Sequence, residues 1–358
     1  MSRKHFTLLL GITLAVALLV LLVPGKTGRE SEVEKTRLLP GLQEQVNDID
    51  WLRVTAAGGQ EVAVLTRGDG FWRVGQAHGY RADWNQLRTL LLDLAQAEIV
   101  EQKTANPEYY DRLGVEDVSG ADAAGLMLEF DGDSGLPAVI VGNRAEGRDG
   151  HYVRLQDAAG SVLIDRSLEV PRETMSWLDK TIVHVADSEV VEVDIRHPDG
   201  ERVAARKASA DDEHFALQGI PAGREIQSAW TVDSLANGLS SLGLESVVPD
   251  TQLDWTGAAQ FALVTADGLR LDADLLQAVP AGAGEDADPE YWIRLVASLY
   301  QTAVESGVEA GQATGERGER AAEINQRVGG WAYRIPKYKY DGMTKRLEDL
   351  LATADSGE

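Results

Sequence analysis

The sequence predicts an α+β protein: a single N-terminal transmembrane helix, then two similar units, each a mainly antiparallel sheet with an amphipathic helix. Three observations predict it. Phe6–Val23 is an uncharged apolar run preceded by Arg3, Lys4 and His5. Short alternating segments separated by Gly- and Asp-containing turns then fill most of the chain. Finally, the order of those segments returns once.

At 1.5 Å per residue the apolar run covers about 27 Å as a helix, close to a bilayer's hydrocarbon core. It ends Leu21-Leu22-Val23-Pro24-Gly25, without the small-residue pattern of a signal-peptide cleavage site. We therefore expect residues 1–24 to be a cytoplasmic stub and a retained anchor in contact with the lipid bilayer. Arg3 and Lys4 place the N-terminus in the cytoplasm and the body in the periplasm of a bacterial inner-membrane protein. The chain has no cysteine, which excludes N-terminal lipidation through that residue.

The polar stretch at residues 25–44 reads as a tether. The first unit is expected over 45–186. Its opening hairpin is Asp48–Thr55 and Glu61–Leu65 around Ala57-Gly58-Gly59-Gln60, followed by a strand at Phe71–Val74. Asp83 and Gln86 read as a capping box for a helix with Trp84, Leu87, Leu91 and Leu94 at helical spacing. Strands follow at Leu126–Phe130, Ala138–Val141, His151–Leu155 and Ser161–Asp165.

The second unit is expected over 187–351. Val190–His197 and Arg202–Arg206 repeat the first hairpin 141 residues on, and His214–Gln218 stands for the third strand. Leu235, Leu239 and Leu242 repeat the helix leucines at an offset of 148. Phe261–Thr265 and Leu269–Leu275 form a further hairpin. Tyr291–Leu295 then matches His151–Leu155 at 140. Three matches in one order argue for duplication. Residues 305–320, rich in Gly, Glu and Ala, read as a mobile or loosely helical insertion. A strand at Trp331–Ile335, a helix at Gly342–Leu351 and a tail at 352–358 close the chain.

With 58 acidic against 34 basic residues, the formal net charge is −24. Phosphate backbones would repel such a body, so nucleic acid is not an expected partner. The six histidines are scattered without metal-ligand spacing. Asp131-Gly132-Asp133-Ser134-Gly135 opens like a calcium loop, but position twelve is Gly142 instead of Glu, so it reads as a turn. Glu285-Asp286-Ala287-Asp288 reads as a solvated loop, and Arg67-Gly68-Asp69 as part of a hairpin turn. Trp72, Trp84, Trp230, Trp292 and Trp331 read mostly as core. No phosphate-binding glycine loop or serine-nucleophile motif occurs. No catalytic, cofactor or metal residue is therefore expected.

The basic stub, apolar helix, tether, Trp72-Arg73-Val74 strand and leucine-spaced helix resemble the bacterial domain-of-unknown-function family 4340. Tyr109–Val115 resembles that family's element after the first helix, and Trp331–Pro336 its end. The insertion at 305–320 departs from it. Members are often encoded beside ABC transporters of the gliding-motility type. The resemblance implies a non-enzymatic accessory role beside an ABC-type permease or auxiliary subunit. Two other readings stay open from the residues: a periplasmic carboxylate-dependent enzyme acting on envelope glycan, and a ligand-binding sensor.

Overall fold

The computed structural model describes residues 36–131, 134–280, 287–300 and 313–353. Phe6–Val23 lies outside the described residues, and among those described no helix is long and apolar enough to cross a membrane. The architecture is α+β with antiparallel sheets and few helices.

Helix α1 (Leu42–Gln45) precedes β1 (Trp51–Ala56), and Ala57–Gly59 lead into β2 (Gln60–Gly68). Next come β3 (Phe71–Val74), β4 (Tyr80–Arg81), α2 (Trp84–Gln96) and β5 (Ile99–Gln102). A short helix α3 (Tyr110–Leu113) is followed by β6 (Leu126–Phe130), β7 (Val139–Arg144), β8 (His151–Leu155) and β9 (Ser161–Ile164). The chain continues through β10 (Thr181–Val183), β11 (Val190–Arg196), β12 (Arg202–Arg206), β13 (Ala216–Leu217) and α4 (Ala229–Asp233). Then β14 (Leu242–Gly243), β15 (Ser246–Pro249), β16 (Ala259–Thr265), β17 (Leu269–Ala278) and β18 (Glu290–Leu299) follow. The last elements are α5 (Ala313–Val328), β19 (Trp331–Arg334) and α6 (Lys337–Met343).

Two compact units form, and neither is continuous in sequence. Among the described residues, unit 1 comprises 36–61 and Arg88–Val170, and unit 2 comprises Val62–Leu87 and 171–353. Within unit 1 the strands run β1-β6-β7-β8-β9-β5. Period-two burial drives this sheet: Leu126, Leu128 and Phe130 are buried while Met127 and Glu129 are not. Residues Lys103–Gly125 cover its other face, seating Tyr110, Leu113 and Val115 on Met127, Ile140 and Tyr152. That cover lies so close that a Cβ at Gly142 would stand 2.3 Å from the Leu113 carbonyl oxygen.

Unit 2 holds the meander β4-β3-β2 and an eight-stranded sheet, β13-β12-β11-β16-β17-β18-β19-β15. The stretch β11-β16-β17-β18-β19-β15 follows the same order as the unit 1 strands. Main-chain closures also recur. The Leu38 N–H donates to the Ala97 carbonyl and the Ile99 N–H to that of Thr36; in the second half the Leu244 N–H donates to Lys180. The Asp83 N–H donates to the Trp177 carbonyl and the Asp179 N–H to Arg81. Gln227 with Leu350, and Ala352 with Glu225, repeat both bonds.

Several expectations need correction. Residues 36–44, expected as tether, are packed: Leu38, Leu39 and Leu42 are buried, and Arg37 Nη1 donates to the Ala95 carbonyl at 2.9 Å. The capping box is half formed. Asp83 Oδ1 accepts the Gln86 N–H at 3.1 Å, but the Asp83 N–H is spent on Trp177. Trp84 and Trp230 are exposed at helix starts, while Trp72 and Trp292 are core. His214–Gln218 shrinks to the two residues of β13.

The second leucine helix is only α4 and a 3₁₀ turn at Ser234–Asn237, and Leu242 belongs to β14. The Ser234 hydroxyl bonds back to the Thr231 carbonyl, and a Cβ at Gly238 would stand 2.7 Å from Met343 Cγ. The last helix starts earlier than Gly342, because Pro336 initiates α6 at Lys337. A 3₁₀ turn at Leu347–Leu350 follows it.

In the expected insertion, 305–312 lies outside the described residues. From Ala313 the chain is helical, in α5. Asn325 clips α5 to the exposed edge of β18, donating to the Ala297 carbonyl and accepting the Ala297 N–H, both at 2.8 Å.

Candidate functional site

Two features of unit 2 bring polar side chains together. The first is a cleft of about 480 Å³ beside α5, with Ile182, Val183 and Ile324 among apolar lining and Arg81, Arg320 and Arg327 among charged lining. Its charges are mostly spent internally. Arg327 donates to the Asp179 carboxylate and, at 2.9 Å, to the Thr181 carbonyl. Arg320 pairs with Glu189 at 2.8 Å and Asp267 at 3.5 Å. Arg81 instead lies 4.5 Å over the Phe71 ring. His184 Nδ1 accepts the Ser241 N–H at 3.0 Å. Near the cleft, Tyr80 packs edge-on to Trp331 and Tyr333, with centroids 5.1 and 5.9 Å away. Burial pushes both tyrosine hydroxyls above the ordinary phenol range.

The second feature is the outer face of the eight-stranded sheet. Register carries Arg202, Arg196, Gln260, Asp274 and Arg294 across five strands in one row. Arg206, Glu192, Val264 and Arg270 make a second row. Between them run Ala204, Asp194, Ala262, Asp272 and Val296, whose shorter side chains leave a groove. Arg196 Nε holds Asp194 Oδ1 at 2.9 Å, and Arg202 Nε holds Oδ2 at 2.7 Å. Arg206 takes Glu192, Arg270 takes Asp272, and Arg294 Nε takes Asp274 at 2.8 Å. Paired in this way, the carboxylates serve as anchors for the guanidinium groups.

In unit 1 the most buried charge is Arg154. Its Nε donates to the Val115 carbonyl at 2.8 Å, its Nη1 to Gln156 at 3.2 Å, and its Nη2 to Asp117 at 2.5 Å. The Tyr109–Val115 element supplies that carbonyl, with Gly114 in the left-handed conformation that ends α3.

The residues weighed in sequence fall elsewhere. His151 Nδ1 accepts the Leu168 N–H at 3.0 Å, and His197 Nε2 lies 3.3 Å from the Lys345 carbonyl. At Asp131 the chain turns, with the Ser134 N–H on its carbonyl at 3.0 Å; Gly132 and Asp133 lie outside the described residues. Glu285 and Asp286 do also. Arg67-Gly68-Asp69 enters a turn in which Asp69 and Gly70 both have positive φ. No group of three potential metal ligands occurs among the described residues. Sequence reading missed the arginine rows, although alternate charges in Glu192-x-Asp194-x-Arg196 and Arg270-x-Asp272-x-Asp274 signalled a polar sheet face.

Antiparallel sheets whose charges are held mainly by one another define the class: an α+β protein with a polar, internally paired sheet face. The family model described as Domain of unknown function (DUF4340) matches residues 72–260, more than half of the chain, and the chain belongs to that family. No curated protein matches the chain, and no solved structure does.

Proposed function

We propose that the chain is a non-enzymatic accessory protein of a bacterial inner membrane. Phe6–Val23 would span the bilayer once, with the N-terminus cytoplasmic and the body periplasmic, beside an ABC-type transporter or envelope complex. One observation carries the reading: most polar side chains of the cleft and the sheet face hydrogen-bond one another. Arg327–Asp179, Arg320–Glu189 and Arg202–Asp194 are ion pairs that build surface; a catalytic pair needs carboxylates open to substrate. The uncharged run at Phe6–Val23 supports the membrane placement.

We further infer that the body is one α+β unit written twice. The recurring strand order, the recurring pairs Asp83–Trp177 and Gln227–Leu350, and the Arg154 and Arg294 positions support it. Duplication gives a scaffold two versions of one face, free to diverge in what they hold.

The test is deletion in the native host. Loss of assembly or activity of the associated ABC-type transporter is expected, with rescue by the full chain but not by a chain lacking Phe6–Val23. Unchanged transporter assembly and transport would refute the reading.

A further inference from the structure

We propose that the groove across the outer face of the eight-stranded sheet docks an acidic polypeptide segment of a partner protein. At its β11–β12 end the face is layered by charge, whereas at β17 Asp272 is 48% exposed against 29% for Arg270. The Arg196, Arg202 and Arg206 side chains are 56–57% exposed, above Asp194 and Glu192 at 9% and 19%. At that end an approaching molecule meets guanidinium first, on a chain whose formal net charge is −24. The carboxylates beneath hold the arginines in place, which reduces the entropy lost when they bind. Arg196 spends only Nε on Asp194, and Arg202 spends Nε and Nη2. Among the described residues their other terminal nitrogens remain as donors for a carboxylate or a main-chain carbonyl.

Unit 1 shows what such an arginine takes. Arg154 and Arg294 occupy matching positions: Arg154 is paired in register with Ile140 and Arg294 with Asp274. In unit 1 the chain's own segment lies over this face, giving Arg154 the Val115 carbonyl and the Asp117 carboxylate. In unit 2 the shorter cover carries Leu253 and Trp255 onto Leu276, Trp292 and Ala332, at the β19 side of the sheet. It leaves the groove open, with Val296 at 59% exposure on its floor. Where unit 1 has Met127 and Ile140 beneath its cover, unit 2 has Gln260 and Asp274. The surface is polar, as suits an occupant that comes and goes, and its outer charge selects an acidic one.

The experiment uses the full chain in mild detergent and a fluorescein-labelled oligoglutamate peptide as probe, read by anisotropy, with oligoglutamine as control. Saturable, salt-sensitive binding of oligoglutamate alone is expected. Arg196→Glu with Arg202→Glu should weaken it at least about tenfold, as should Val296→Glu, which breaks no ion pair. Arg144→Glu with Arg148→Glu makes the same charge change in unit 1 and should leave binding within about twofold. Absence of saturable binding, or equal loss in both double variants, would overturn the proposal. So would self-association in sedimentation velocity that Val296→Glu abolishes, which would make the occupant a second copy. Binding to vesicles of anionic phospholipid in place of the peptide, lost in Arg196→Glu with Arg202→Glu, would overturn it in favour of a headgroup.

Discussion

The guanidinium of Arg154 lies 4.8 Å above the ring of Tyr110, and that of Arg294 lies 4.6 Å above Trp255. Arg154 stands on β8 and Arg294 on β18, and each aromatic ring comes from the segment that precedes β6 or β16. The two sites differ in burial: the Arg154 side chain is 5% exposed and that of Arg294 is 37%.

That difference sets unequal costs. Arg154→Ala would leave the Val115 and Gln156 carbonyls without their donor and should cost about 3 kcal/mol. Arg294→Ala removes a half-exposed pair with Asp274 and should cost about 1 kcal/mol or less. Urea unfolding of the two variants against the parent protein measures both.

Glycine-to-alanine changes should have opposite signs at two positions. At Gly142 a Cβ would meet the Leu113 carbonyl oxygen at 2.3 Å and Val115 Cγ1 at 2.7 Å. The cover over unit 1 must shift, at a cost of about 1–3 kcal/mol. At Gly318, inside α5, a Cβ meets nothing within 4 Å. There alanine should stabilise by about 0.5–1 kcal/mol. Thermal unfolding midpoints report each sign.

His151 should make stability depend on pH. Burial lowers its pKa below the ordinary histidine range, and the Leu168 N–H on Nδ1 suits the neutral ring. The unfolded chain therefore binds more protons than the folded one just below the ordinary value of about 6.5. Stability is fully present above that value and falls as pH drops through the folded pKa. Urea midpoints across this range should decline toward acid, and His151→Gln should flatten the decline.

Asn325 should control the opening of α5 from β18. Its amide supplies both a donor and an acceptor to Ala297, as a neighbouring strand would. Asn325→Ala should cost about 1–3 kcal/mol and speed hydrogen exchange at the Ala297 amide. Exchange at Ala262 in β16, which is bonded on both sides, should change much less.

Much of this fold was legible in local pattern. Phe71–Val74, Leu126–Phe130 and Arg202–Arg206 fall on the expected strand ends, because alternation and flanking turns specify them without help from distant residues. The truncation of the second helix was not. Leu235, Leu239 and Leu242 have helical spacing, but Gly238 packs against Met343 and Phe261, both remote in sequence. Pro336 as the start of α6 follows from local rules alone. The groove required cross-strand register: Glu192, Asp194 and Arg196 show charge at alternate positions, yet nothing local says that Arg202 and Arg294 share their row.

We propose above that this chain works beside a membrane partner. The most direct test is purification of the tagged full chain from its native membrane in mild detergent, followed by quantitative mass spectrometry. An ABC-type permease or its auxiliary subunit is expected at near-stoichiometric yield, reduced when Phe6–Val23 is removed. Recovery of the chain alone, with transporter subunits no more abundant than in an untagged control, would contradict it.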